Sequence, residues 1–130
     1  MADHVMIVFT ECRPGEDEEF NAWYTGTHVP DVLRLDGFTA VQRFRQAATE
    51  QEEGPTYLAV WEIEGDVEAA RQALANGPPR FLSPSYDPAR TSIRFYRAIT
   101  DRIGKGDVAG GGGFAAEPAD SAVDASVSSR

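Results

Sequence analysis

The chain has 130 residues and a net charge of -9, with 12 Lys and Arg against 21 Asp and Glu. That length suits one domain, and the acidic balance argues against nucleic acid or an anionic membrane surface as a partner, because both need clustered Lys and Arg. The single cysteine, Cys12, leaves no intrachain disulfide and points to a cytoplasmic protein. Cys12 ends an apolar run, where a small buried apolar residue is a commoner role than a nucleophile. No signal peptide is expected at Met1–His4, which lacks a basic stretch, and no apolar run approaches the ~20 residues of a transmembrane helix.

His4 to Glu11 is apolar on both alternating faces, as in a strand covered on both sides. Arg13-Pro14-Gly15 punctuates, and Glu16 to Glu19 supplies the acidic first turn that a helix dipole favours. Phe20, Trp23 and Tyr24 follow at helical spacing. Gly26 weakens the helix and Pro30 suits the first turn of a new one, so the spacing predicts a helix over 16–26 and a short helical turn over 30–35. His28 then falls at the break between them.

Asp36-Gly37 is a turn. Residues 38–47 alternate as a strand, with Phe38, Ala40, Gln42 and Phe44 opposite Thr39, Val41, Arg43 and Arg45. A polar loop over 48–55 leads to a third strand over 56–64, on which Tyr57, Ala59, Trp61 and Ile63 share a face. Asp66 is a candidate N-cap for an Ala-rich helix over 67–76, stopped at Asn76-Gly77. Residues 78–90 form a loop with four prolines and the apolar Phe81, Leu82 and Tyr86, composition that suits a docked lid. A fourth strand covers 91–99. The Gly-, Ala- and Ser-rich residues 104–130 have little to bury and read as a disordered tail after a domain over 1–103.

Strand-helix-strand-strand-helix-strand is the ferredoxin-like βαββαβ order of the α+β class. It implies a four-stranded antiparallel sheet with two helices on one face. The strands are apolar on the other face too, and a second copy in a two-fold homodimer would cover it.

Phe20-x-x-Trp23-Tyr24-x-x-x-His28-x-Pro30-Asp31, then Leu33, Gly37-Phe38 and Arg43-Phe44, resemble the dimeric α/β-barrel superfamily, and within it the EthD-like proteins. The resemblance covers roughly residues 4 to 100 by element order and is specific over 20–44. It implies a dimer whose two sheets close into an α/β barrel, with a pocket in each subunit between sheet and helices. Relatives of this kind include cofactor-independent cyclases, monooxygenases, isomerases and lyases, others that bind haem, and many with no assigned activity. The scaffold is shared more than the chemistry.

His28 can change protonation near neutral pH and act as acid or base; a capping or solvent-exposed histidine in a turn is the bland alternative. Asp31 could orient its ring, and Tyr24 or Tyr57 could donate to a developing oxyanion. Adjacent Trp23 and Tyr24 point different ways, one to the sheet and the other to a pocket mouth. Tyr57 and Trp61 suit a pocket wall for a planar apolar ligand or an ordinary core. Arg43 needs a partner if buried, in an anionic ligand; the alternatives are an edge-strand face in solvent or an intersubunit ion pair with Glu62 or Glu64. Phe81 and Tyr86 would close the pocket from the long loop. No Cys-x-x-Cys, His-Glu-x-x-His, Gly-x-Gly-x-x-Gly after a strand or Gly-x-Ser-x-Gly occurs, so no metal site is expected. Haem has no supporting second feature.

The function expected on these grounds needs no cofactor. It is proton transfer (cyclisation, isomerisation, dehydration or lyase cleavage) on a compact apolar oxygenated molecule such as a polyketide, quinone precursor or lactone. A cofactor-free monooxygenase of a phenol and a non-catalytic ligand-binding dimer remain open.

Overall fold

The structure is a computed structural model and describes residues 3–47 and 55–108. In chain order it contains β1 (His4–Cys12), α1 (Asp17–Trp23), a π turn (Tyr24–His28), α2 (Val29–Leu33), β2 (Phe38–Arg45), β3 (Tyr57–Ile63), α3 (Val67–Asn76) and β4 (Tyr86–Arg97). The strands form one antiparallel sheet in the order β2-β3-β1-β4. This is the ferredoxin-like arrangement the element order implies, with the helices against one face of the sheet.

The first helical segment differs from expectation. No break separates a helix at Gly26 from a turn at Pro30. The backbone stays right-handed helical from α1 through the π turn into α2, with Trp23, Tyr24, His28 and Val29 all in the α region. Pro30 is accommodated because the wide turn has already displaced the ladder: Val29 N–H bonds back to the Tyr24 carbonyl, five residues away. Asp17, Glu18 and Glu19 do occupy the first turn, where the dipole favours them.

A second difference is a bulge in β2. Phe38 pairs with Ile63 but Ala40 pairs with Glu62, so the register shifts at Thr39. The extra residue turns Phe38 onto the face that carries Val41, Arg43 and Arg45, away from the Ala40, Gln42 and Phe44 face where strict alternation puts it. Phe38 is buried there against Trp61, ring centroids 6.1 Å apart.

β4 begins at Tyr86, not at Thr91, so the long loop shrinks to residues 77–85. Pro88 is tolerated because β4 is an edge strand. α3 matches its expected span, and Asp66 Oδ1 accepts from Glu68 N–H at 3.0 Å as its cap. Gly37 takes φ +99° at the entry to β2, where a Cβ would lie 3.0 Å from that of Ala70 on α3.

The core lies between helices and sheet. Phe20, Trp23, Tyr24 and Val32 descend onto Met6, Val8, Tyr57, Ala59, Trp61 and Ile63. On the other sheet face stand Val5, Ile7, Phe9, Leu58, Val60, Phe44 and Tyr96, none of them buried. By contacts the chain divides into Met1–Ala98 and Ile99–Arg130. The described part of the second unit holds a 3-10 turn, Lys105–Val108, closed by Gly104 N–H on Asp107 Oδ2 at 2.7 Å. The expected hairpin loop at 48–54 and the tail from 109 onward lie outside the described residues.

Candidate functional site

His28 is placed by the π turn. In an α-helix residues five apart do not share a face, but a π turn brings them nearly one above the other. His28 therefore stacks on Trp23, with ring centroids 4.9 Å apart and planes at 28°. Tyr24 meets it edge-on at 4.8 Å and Trp61 at 6.2 Å. The ring is half-buried, and its Nδ1 is buried without a hydrogen-bond partner.

A cavity of about 150 Å³ opens beside this ring. Its walls are Met6 and Val8 of β1, Tyr24 and His28 of the π turn, Val32 of α2, Trp61 of β3, Leu74 of α3, Arg80 and Leu82 of the loop, and Tyr86, Thr91 and Ile93 of β4. Burial pulls the His28 pKa down to about 4, and the Arg80 cation pushes the same way against the opposing charge of Asp31. The ring is thus neutral at pH 7. Burial likewise pushes the Tyr24 phenol up to about 12, despite the nearby Trp61 indole and Arg43 guanidinium, so it stays protonated. Trp61 is fully buried; its Nε1 lies beside the Tyr24 hydroxyl and is otherwise without a hydrogen-bond partner among the described residues.

The expected site residues divide into those that meet at the cavity and those that do not. His28, Tyr24, Trp61 and Tyr86 line it. Trp23 backs it: its Nε1 donates to the Phe81 carbonyl at 3.0 Å, pinning the loop, while its ring supports His28 and touches Tyr86. Of the pair, Tyr24 is the one that faces the cavity. Phe81 offers only that carbonyl and its side chain is exposed, so it is no part of the lining.

Asp31 does not orient His28. Its Oδ1 accepts from Arg34 at 2.9 Å, one helical turn on, and it lines an outer groove with Arg34, Asp36 and Pro78. Tyr57 is also elsewhere: its hydroxyl donates to Asp17 Oδ2 at 2.6 Å and accepts from Asn21 Nδ2 at 3.1 Å. Arg43 is held in the same knot. It donates to Asn21 Oδ1 at 2.7 Å and Thr25 Oγ1 at 3.0 Å, with its guanidinium 4.3 Å over the Tyr24 ring. Within the subunit, neutral acceptors and ring faces satisfy Arg43, and Glu62 lies on the opposite sheet face. Burial raises the Cys12 thiol pKa, with Asp17 adding to the rise, which disfavours the nucleophilic thiolate.

Sequence reasoning missed Arg80, Leu74 and Val32 in the lining. The Pro-rich segment was legible as a lid, but nothing in it singled out Arg80 until the loop was folded back over α3. Among the described residues no group of His, Cys, Asp and Glu could hold a metal ion, and no helix is long and apolar enough to cross a membrane.

The profile of a domain of unknown function, DUF4286, matches residues 4–71, from β1 into α3. The chain belongs to the DUF4286 family. The stretch that carries the EthD-like resemblance, 20–44, falls inside this match. No curated protein matches the sequence. Among solved structures, the heme-degrader MhuD of Mycobacterium tuberculosis, determined with two hemes bound in its active site, is 23% identical and superposes with a TM-score of 0.56 over 77% of this chain and 99% of its own. A hypothetical protein of Arabidopsis thaliana, solved in solution, is 13% identical with a TM-score of 0.52 over 79% of this chain and 94% of its own. At such identities the likeness is one of fold. The DUF4286 chain shares with these proteins the ferredoxin-like α+β fold.

Proposed function

We propose that this DUF4286 protein is a small enzyme that moves a proton on a compact, largely apolar oxygenated molecule, with His28 as the base. The observation that carries this reading is the buried, unpaired Nδ1 of His28 at the wall of an apolar cavity. A neutral imidazole there can accept a proton at pH 7 and return it later, in cyclisation, isomerisation, dehydration or lyase cleavage. Tyr24, kept protonated by burial, is suited to donate to an oxygen that gains charge in the step. The leading sequence-based reading is narrowed in two respects. His28 enters as base rather than acid, and neither Asp31 nor Tyr57 takes part.

Haem does not fit the residues present. The cavity beside His28, about 150 Å³, is below the ~300–1,000 Å³ of drug-sized pockets and so too small for a porphyrin. One observation favours a non-catalytic binding protein: among the described residues nothing hydrogen-bonds His28 Nδ1 to fix the tautomer, as catalytic histidines commonly require. The two readings separate in one experiment. With a panel of enolisable ketones, lactones and phenols, His28→Ala should lower turnover by about 10²-fold or more while ligand binding and fold persist. Turnover unchanged by His28→Ala overturns the assignment of His28. Binding without turnover in either protein leaves the binding-protein reading.

The protein is proposed to act as a homodimer, with the apolar outer sheet face buried against its symmetry mate.

A further inference from the structure

Three of the buried polar atoms left without a partner line the same cavity: Trp61 Nε1, Arg80 Nε and His28 Nδ1. The indole and the guanidinium nitrogens can only donate. Leaving a buried donor unpaired is costly, more so when the group is charged, so two such donors lining one cavity call for an acceptor. No Asp or Glu lines the cavity to supply one. Arg80 also borders the outer groove, where Asp31 and Asp36 stand, but Asp31 is engaged by Arg34 and neither carboxylate lines the cavity. Arg80 is held in place by a different nitrogen, its Nη2 donating to the Leu74 carbonyl at 3.1 Å, which leaves Nε free. The interior therefore presents two N–H donors, one of them on a cationic side chain, in a lining that also carries Tyr24, His28, Tyr86 and Thr91 but no anionic group.

We infer that the ligand of this cavity is an anion: a compact apolar body carrying one negatively charged oxygen group, which accepts from both Trp61 Nε1 and Arg80 Nε. The body packs against Val8, Val32, Leu74 and Leu82, and about 150 Å³ has room for a ring of benzene size. Arg80 and Trp61 are then the residues that set specificity for charge. The inference rests on the proposed pocket at His28 and adds to it the substrate class: an acid rather than a neutral ketone or lactone.

Benzoate and its neutral isostere benzamide test this on the full chain by titration calorimetry at pH 7. Benzoate should bind more tightly than benzamide. Arg80→Gln and Trp61→Phe should each weaken benzoate by about tenfold or more, and benzamide by no more than about twofold, as expected for loss of a hydrogen bond to a charged group. Circular dichroism checks the fold of each variant. Arg80 sits on a loop, so Arg80→Gln decides the matter if Trp61→Phe unfolds. Benzoate that fails to bind, binds no better than benzamide, or ignores Arg80→Gln overturns the anion. Benzamide that binds as well as benzoate and is lost in His28→Phe overturns the anion while leaving the His28 pocket standing; His28→Ala with full turnover removes the base without touching the anion result.

Discussion

His28 concentrates what one residue can reveal about this protein. Its folded pKa, about 4, lies below the ordinary 6.5, because burial and Arg80 disfavour the imidazolium. The unfolded chain therefore binds the extra proton between those two values. Stability from the neutral, buried ring is complete above about pH 6.5 and is lost as pH falls toward 4, by roughly 3 kcal/mol at most. His28→Phe keeps an aromatic ring on Trp23 but cannot titrate. Urea melts at pH 7 and pH 4.5 should show a smaller loss for the variant than for the wild type; equal losses would mean that His28 titrates normally. The same pKa governs rate. If His28 is the base, kcat/KM should be level from pH 6 to pH 8 and fall only toward its pKa of about 4, since kcat/KM reports the free enzyme. A midpoint near 6.5 would contradict the buried site. The residue type and its aromatic neighbours were legible in the sequence. The partner was not: Asp31 is three residues on in sequence, yet an arginine one turn further along the same helix takes its carboxylate.

At the scale of elements, the sequence showed which segments exist better than how they join. Gly26 and Pro30 signal a break by composition, and the chain answers with a π turn that keeps the helix continuous. That turn is what lets His28 lie over both Trp23 and Tyr24, a geometry that no α-helical or broken reading supplies. The β2 bulge had no signal either, because period-two alternation cannot show one extra residue until the partner strand is placed. Gly37 was legible as a turn, but its second role was not. Gly37→Ala would put a Cβ 3.0 Å from Ala70 in a left-handed backbone, and should destabilise by about 1–3 kcal/mol in thermal or urea melts. An unchanged midpoint would mean that α3 shifts freely against β2. The knot of Asp17, Asn21, Tyr57 and Arg43 ties α1 to β3 and β2. Tyr57→Phe removes the hydroxyl that holds Asp17 below the usual carboxylate range. It should cost about 1 kcal/mol of stability while leaving kcat untouched, because Tyr57 is not at the cavity. A large loss of kcat in a folded Tyr57→Phe would return this residue to the site.

For the whole molecule the unresolved demand is the outer face of the sheet. Its apolar character was plain in the sequence, since β1 and β3 are apolar on alternate positions as well as on core positions. The fold leaves Val5, Ile7, Phe9 and Val60 in adjacent register on the face opposite the core that α1, α2 and α3 cover. Central strands with such a face are ordinary only when something packs on it. A second copy is the simplest cover, because a two-fold axis lets one apolar patch satisfy itself. Val60 is at the middle of that face, paired with Ile7 on one side and Gln42 on the other. Val60→Lys would set a charge against its own symmetry mate and leave the helix-side core untouched. Sedimentation should find a dimer for the wild type at micromolar concentration and a monomer for Val60→Lys, with circular dichroism unchanged. A wild-type monomer would remove the dimer altogether. A Val60→Lys dimer would move the interface off the sheet, since two lysines cannot be buried face to face without a counter-charge.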